Sequence, residues 1–140
     1  MSNIPEEMGR HHCDAIVITC MDFRFQKFIE QWEKDNLGEF TFDRISLGGA
    51  CFDFFAILKQ IDISVRLHTI SKVIIINHEE CGAYGEAGTY ERHQQDLKNA
   101  ELQIERLYPN LDVETYYLHK DGTFEEMSET EPRFDSVVNN

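Results

Sequence analysis

Four stretches of the chain are dense in β-branched and aromatic residues: "AIVIT" at 15–19, "FTFDRISL" at 40–47, "KVIIIN" at 72–77 and "DVETYYL" at 112–118. Such runs predict strands. The first and third are almost wholly apolar, the pattern of central parallel strands covered on both faces. Between them the hydrophobic period becomes helical. Phe25, Phe28, Ile29 and Trp32 fall at i, i+3, i+4 and i+7, Leu97, Ile104, Leu107 and Tyr108 make a looser stripe, and a further helix is expected from about Phe52 to Thr69. Strand and helix therefore alternate, which predicts one α/β domain with a mostly parallel central sheet flanked by helices. "LHKDGTFEEM" turns through Asp121-Gly122 and predicts a short last strand, antiparallel to its neighbour.

The ends read differently. Residues 1–13 are polar and expected to be a flexible segment, and residues 125–140 are acidic, carry Pro132 and are expected to form a loose tail. The domain proper is then 14–124. With 140 residues, 41% of them hydrophobic and 10 of them Phe, the chain can bury one core. Thirteen Lys and Arg stand against 26 Asp and Glu, a formal net charge of -13. That balance argues against nucleic acid and against an anionic membrane as partners. The first residues lack the basic start and apolar run of a signal peptide, and no stretch is long and apolar enough to span a bilayer, so a cytoplasmic protein is expected. Thiols stay reduced there. Cys13, Cys20, Cys51 and Cys81 accordingly read as metal ligands, nucleophiles or small core residues rather than disulfide partners.

In open α/β sheets the ligand site lies beyond the carboxyl ends of the strands. Cys20 directly follows the first predicted strand, and "HEEC" sets His78 and Cys81 directly after the third. If those strands are neighbours, two thiols and an imidazole converge on one crevice. A Cys2His set with the fourth position open is the pattern of a catalytic zinc site, whereas structural sites close with a fourth Cys or His. An H-x-x-C pair alone is a weak signal; its joint occurrence with Cys20-x-Asp22-x-Arg24, each at a strand exit, carries the reading. Two thiolates neutralise Zn²⁺ and make it a poorer activator of water. A carboxylate such as Asp22 can compensate by accepting a hydrogen bond from the attacking hydroxide, and the Arg24 fork can hold that carboxylate ionised and oriented.

Other residues are less decisive. Gly48 and Gly49 in "SLGGAC" let backbone approach a ligand closely, and Gly82 can offer an N–H to an anionic product. No phosphate-loop motif is present. Cys13 and Cys51 read as small core residues. Tyr84 is placed to face the site, while His93 reads as a solvated helix residue. His11, His12 and Cys13 could bind metal in principle but read as part of the flexible N-terminal segment, and His68 and His119 have no partner visible in the sequence.

These residues resemble the β-class carbonic anhydrases. "ITCMDFR" is similar to the first zinc motif of that family and "INHEECG" to the second, in the same order, and the likeness extends from about Ala15 to Gly122. The resemblance implies Zn²⁺ on Cys20, His78 and Cys81, with Asp22 and Arg24 as the catalytic dyad and Gly48, Gly49 and Gly82 near the substrate. It implies reversible hydration of CO2 to bicarbonate and a proton by a zinc-bound hydroxide, in a homodimer or higher homo-oligomer. A resting state with Asp22 on the zinc is also within the family's range. "SLGGA" stands where the family has Arg-Asn-Ala-Gly-Gly, so the Arg-Asn is missing and Arg44 lies upstream. The family's N-terminal helices have no counterpart in the dozen residues before the first strand. Two alternatives stay open at this level: hydrolysis of carbon disulfide or carbonyl sulfide on the same zinc, and a non-catalytic zinc-binding or regulatory domain. Phe23, Phe52 and Tyr84 are the candidates for an apolar wall around the substrate.

Overall fold

The computed structural model describes residues 11–128. Strands β1 (Ala15–Cys20), β2 (Phe42–Leu47), β3 (Lys72–His78), β4 (Asp112–Leu118) and β5 (Phe124–Glu126) form one sheet in the order β2-β1-β3-β4-β5. The β1–β2, β1–β3 and β3–β4 pairs are parallel, and β5 alone runs antiparallel, against β4. Helices α1 (Gln26–Leu37), α2 (Phe54–His68) and α3 (Tyr90–Leu107) connect them. The result is the single α/β domain that the alternating pattern predicts.

Side chains alternate between the two faces of the buried strands, so each apolar run feeds two cores. Val17, Ile74 and Ile76 pack with Phe25, Ile29 and Trp32 on the α1 side. Ile16, Ile18, Val73 and Ile75 pack with Ile57, Ile61, Leu97 and Ile104 on the side of α2 and α3. The helix ends are sealed locally. Asp53 accepts from the Ala56 N–H to cap α2, Thr89 accepts from the Arg92 N–H to cap α3, and Gly38 closes α1 at φ 53°.

Three expectations need correction. Leu107, assigned to the apolar stripe of α3, is 56% exposed, whereas His93, read as solvated, is wholly buried. The buried stripe runs His93, Leu97, Ala100 and Ile104, with a polar residue at its start that hydrophobic periodicity does not register. Second, Glu125 and Glu126, assigned to the loose tail, lie in β5, and the Met127 N–H continues the pairing to the Thr115 carbonyl at 2.8 Å. Third, Cys13, at the end of the segment read as flexible, is buried in the core with its N–H bonded to the His68 carbonyl at 3.1 Å. The rest of both terminal readings, at 1–10 and 129–140, lies outside the described residues.

The strand order positions the site. From β1 the chain steps to β2 on one side, then crosses back to β3 on the other, which leaves a crevice at the carboxyl ends of β1 and β3.

Candidate metal centre

Cys20 ends β1 and His78 ends β3, so both reach that crevice, and the turn Glu79-Glu80 brings Cys81 back over it. Glu80 takes φ 58°, a left-handed conformation that costs a non-glycine residue energy and folds the loop sharply. The ligand atoms of Cys20, His78 and Cys81 lie within 4.8 Å of one another, and all three residues are buried. The two sulfurs are 3.8 Å apart.

Electrostatics favour a thiolate at Cys20. The Cys81 S–H bonded to it, then the Gly49 and Asp22 N–H groups, hold the Cys20 thiol well below its usual range. Cys81 is pushed the opposite way, first by Cys20 and then by burial. The pair shares one proton across two sulfurs, and a cation placed between them would take over the role of that proton.

His78 gives the clearest fit to a metal. Its Nδ1 lies 2.7 Å from the Glu79 carbonyl, and its ring stacks on Phe25 with centroids 4.1 Å apart. With Nδ1 donating to that carbonyl, the lone pair sits on Nε2. Nε2 is buried and has no hydrogen-bond partner among the described residues. An orphaned acceptor beside two thiols is costly unless something binds it, and the soft and borderline donors Sγ, Sγ and Nε2 suit Zn²⁺.

Asp22 lies at the open side. Its Oδ2 is 3.9 Å from His78 Nε2 and accepts from Arg24 Nη2 at 2.6 Å, while Arg24 Nε reaches both carboxylate oxygens at 3.1 and 3.2 Å. The Arg24 hydrogen bonds hold the Asp22 carboxyl down at about 2. Arg24 is itself steered by the Glu80 carbonyl, which accepts from Nη2 at 3.1 Å. Asp22 therefore pairs with Arg24.

A cavity of about 580 Å³ opens in front, lined by Cys20, Met21, Asp22, Phe23, Arg24, Gly48, Gly82 and Ala83. Gly48 and Gly82 thus face the cavity. Gly49 does not line it: its N–H donates to Cys20 Sγ at 3.3 Å. At φ 86°, with a Cβ that would lie 2.7 Å from Phe52 Cβ, that position requires glycine. Of the three candidate wall residues only Phe23 borders the cavity; Tyr84 is buried against Phe52. Arg44 stays away, holding Glu33 through two 2.9 Å bonds.

Several supporting residues escaped the sequence reading. Gln26 Nε2 donates to the carbonyls of Cys20 and Asp22, at 3.2 and 2.8 Å, and so pins the loop that carries both. Its only sequence signal is its place four residues after Asp22 at the start of α1. Behind the site, Asn77 gives its amide N–H groups to Tyr84 Oη and His93 Nδ1 and accepts from the Cys51 N–H. Tyr84 Oη in turn donates to Asp96 at 2.8 Å. Cys51, read as a core residue, is buried there, and burial pushes its thiol up to about 12.

Comparison with known proteins identifies the family. A family model described as "Putative carbonic anhydrase" matches residues 10–128. An uncharacterised protein of Rickettsia bellii is 29% identical over 141 residues, covering 87% of this chain and 86% of its own. A carbonic anhydrase from Glaciozyma antarctica superposes with a TM-score of 0.62 at 15% identity, over 88% of this chain and 87% of that one. One of two tetrameric β-carbonic anhydrases from Sordaria macrospora superposes with a TM-score of 0.55 at 13% identity, over 84% and 82%. At these identities the solved structures establish the fold, and the family match establishes the kinship. The chain is a divergent member of the β-carbonic anhydrase family.

Proposed function

We propose that the protein is a zinc enzyme that reversibly hydrates CO2 to bicarbonate and a proton. The observation that carries this reading is the buried, unpartnered His78 Nε2 facing Cys20 and Cys81 at the mouth of a cavity, with Asp22 3.9 Å away. Zn²⁺ held by Cys20, His78 and Cys81 supplies the Lewis acidity that brings ionisation of water toward neutral pH.

The chain's own groups do the rest. Asp22, kept ionised by Arg24, accepts a hydrogen bond from the nucleophile and aims its lone pair at the substrate carbon. Arg24 fixes that carboxylate through a fork of bonds while the Glu80 carbonyl fixes Arg24. Gly48 and Gly82 leave room at the cavity wall, and Met21 and Phe23 give it an apolar edge suited to an uncharged linear molecule. The protein would work in the cytoplasm, and among the described residues no helix is long and apolar enough to cross a membrane. Support for a homodimer or larger homo-oligomer comes from Phe23 and Phe55, 83% and 81% exposed, and from the tetrameric assembly of the Sordaria macrospora relatives.

The test is stopped-flow CO2 hydration by protein of confirmed zinc content, with carbon disulfide and carbonyl sulfide assayed in parallel. Turnover of CO2 that rises with pH supports the proposal. Zinc-loaded protein that turns over only a sulfur substrate, or none, would refute it.

A further inference from the structure

A second cluster of metal-binding side chains lies at the other end of the sheet. The ligand atoms of Cys13, Asp43 and His68 are all within 4.8 Å of one another, and His11 Nε2 faces His68 Nε2 at 2.9 Å. Cys13 precedes β1 and Cys20 ends it, so the two clusters are separated by roughly 20 Å of strand. We propose that Cys13, Asp43 and His68, the last through Nδ1, form a second metal site for Zn²⁺ or a similar borderline divalent ion, with His11 holding the far edge of the His68 ring, so that metal binding ties the N-terminal segment to the domain.

The donor set of one thiol, one carboxylate and one imidazole offers mixed S, O and N ligands and, once the thiol gives up its proton to the metal, two negative charges, enough to neutralise the ion. His68 Nδ1 lies 2.7 Å from Asp43 Oδ2, where a cation would replace the proton they share, and Nε2 on the far edge can donate to His11 Nε2 at 2.9 Å, the outer contact that leaves the lone pair on Nδ1.

Support around the cluster is already built. Ser64, one turn before His68 on α2, donates to the same Asp43 oxygen at 2.6 Å. His68 is the last residue of α2, where the free carbonyls of a 15-residue helix favour a cation, and Thr69 closes the helix at φ 52°. Asp43, Ser64 and His68 also border a groove of about 250 Å³, which gives an ion a route in. In the sequence these residues are scattered over 11–68, and only the fold brings them together.

The site can be counted. Full-length protein dialysed against micromolar free zinc is expected to hold two zinc ions per chain by elemental analysis. His68→Ala and, as a variant that keeps the size of the side chain, Asp43→Asn are each expected to hold one. Cys20→Ser should also hold one, and Cys20→Ser with His68→Ala none. In cobalt-substituted Cys20→Ser/Cys81→Ser protein, a residual thiolate-to-metal absorption band is expected and should vanish with Cys13→Ser. A single zinc in wild-type protein that Cys20→Ser removes, or two zincs in both folded His68→Ala and Asp43→Asn, would overturn the proposal. Because the sites lose metal separately, failure at the β1–β3 crevice would appear as insensitivity to Cys20→Ser and would leave the His68→Ala result intact.

Discussion

The side chains around the crevice divide by what their loss should do. Cys20→Ala removes a ligand and is expected to lose the crevice zinc, by elemental analysis. Gln26→Ala leaves the ligands in place but frees the carbonyls of Cys20 and Asp22, so its zinc content should hold while kcat falls. Two net hydrogen bonds of about 1 kcal/mol each put its stability cost near 1–2 kcal/mol in urea. Gly49→Ala meets both a positive φ and a 2.7 Å approach to Phe52. It is expected to destabilise by about 1–3 kcal/mol, whereas Gly82→Ala, whose Cβ would meet nothing within 4 Å, should be near neutral in stability. The meeting of Cys20, His78 and Cys81 was legible because side chains at strand exits converge on the crevice in this kind of sheet. Gln26 and the Glu80 carbonyl were not, because their contribution rests on where backbone oxygens point, which residue type does not encode.

At the level of the elements, α3 gives the sharpest contrast between pattern and packing. Leu107 belongs to the apolar period yet stands in solvent, while His93 holds the seam between Tyr84 and Tyr117. Ile104→Ala should cost about 2–5 kcal/mol and Leu107→Ala less than about 0.5 kcal/mol, by denaturant titration. Burial first, then His78, brings the His93 imidazole down from 6.5 to about 4. Its neutral form is therefore favoured by folding. The stability this contributes is complete above pH 6.5 and is lost as pH falls through about 4, because the unfolded chain binds the proton first. Replacing His93 with Gln should flatten that part of the pH–stability curve relative to wild type. Asn77 depends on the same seam, since one of its amide hydrogens goes to His93 and it precedes the candidate ligand His78. The strands themselves were read almost to the residue, because β1 and β3 are buried on both faces and leave few polar positions to blur the pattern.

The whole molecule works because its topology gathers what the sequence separates. Cys20 and Cys81 lie 61 residues apart in the chain and 3.8 Å apart in space, and only the β2-β1-β3 order makes their strands adjacent. The alternation of strand and helix forecast the fold class, and the motifs forecast the crevice. Neither could forecast the cluster of Cys13, Asp43 and His68, since no short spacing links its members. The measurement that most directly tests the central claim compares CO2 hydration by wild-type and Asp22→Ala protein, both with crevice zinc confirmed. Zinc retained in the variant with turnover lowered on the order of a hundredfold or more is the predicted result. Equal turnover in the two proteins, or zinc-loaded wild type with no turnover, would contradict it.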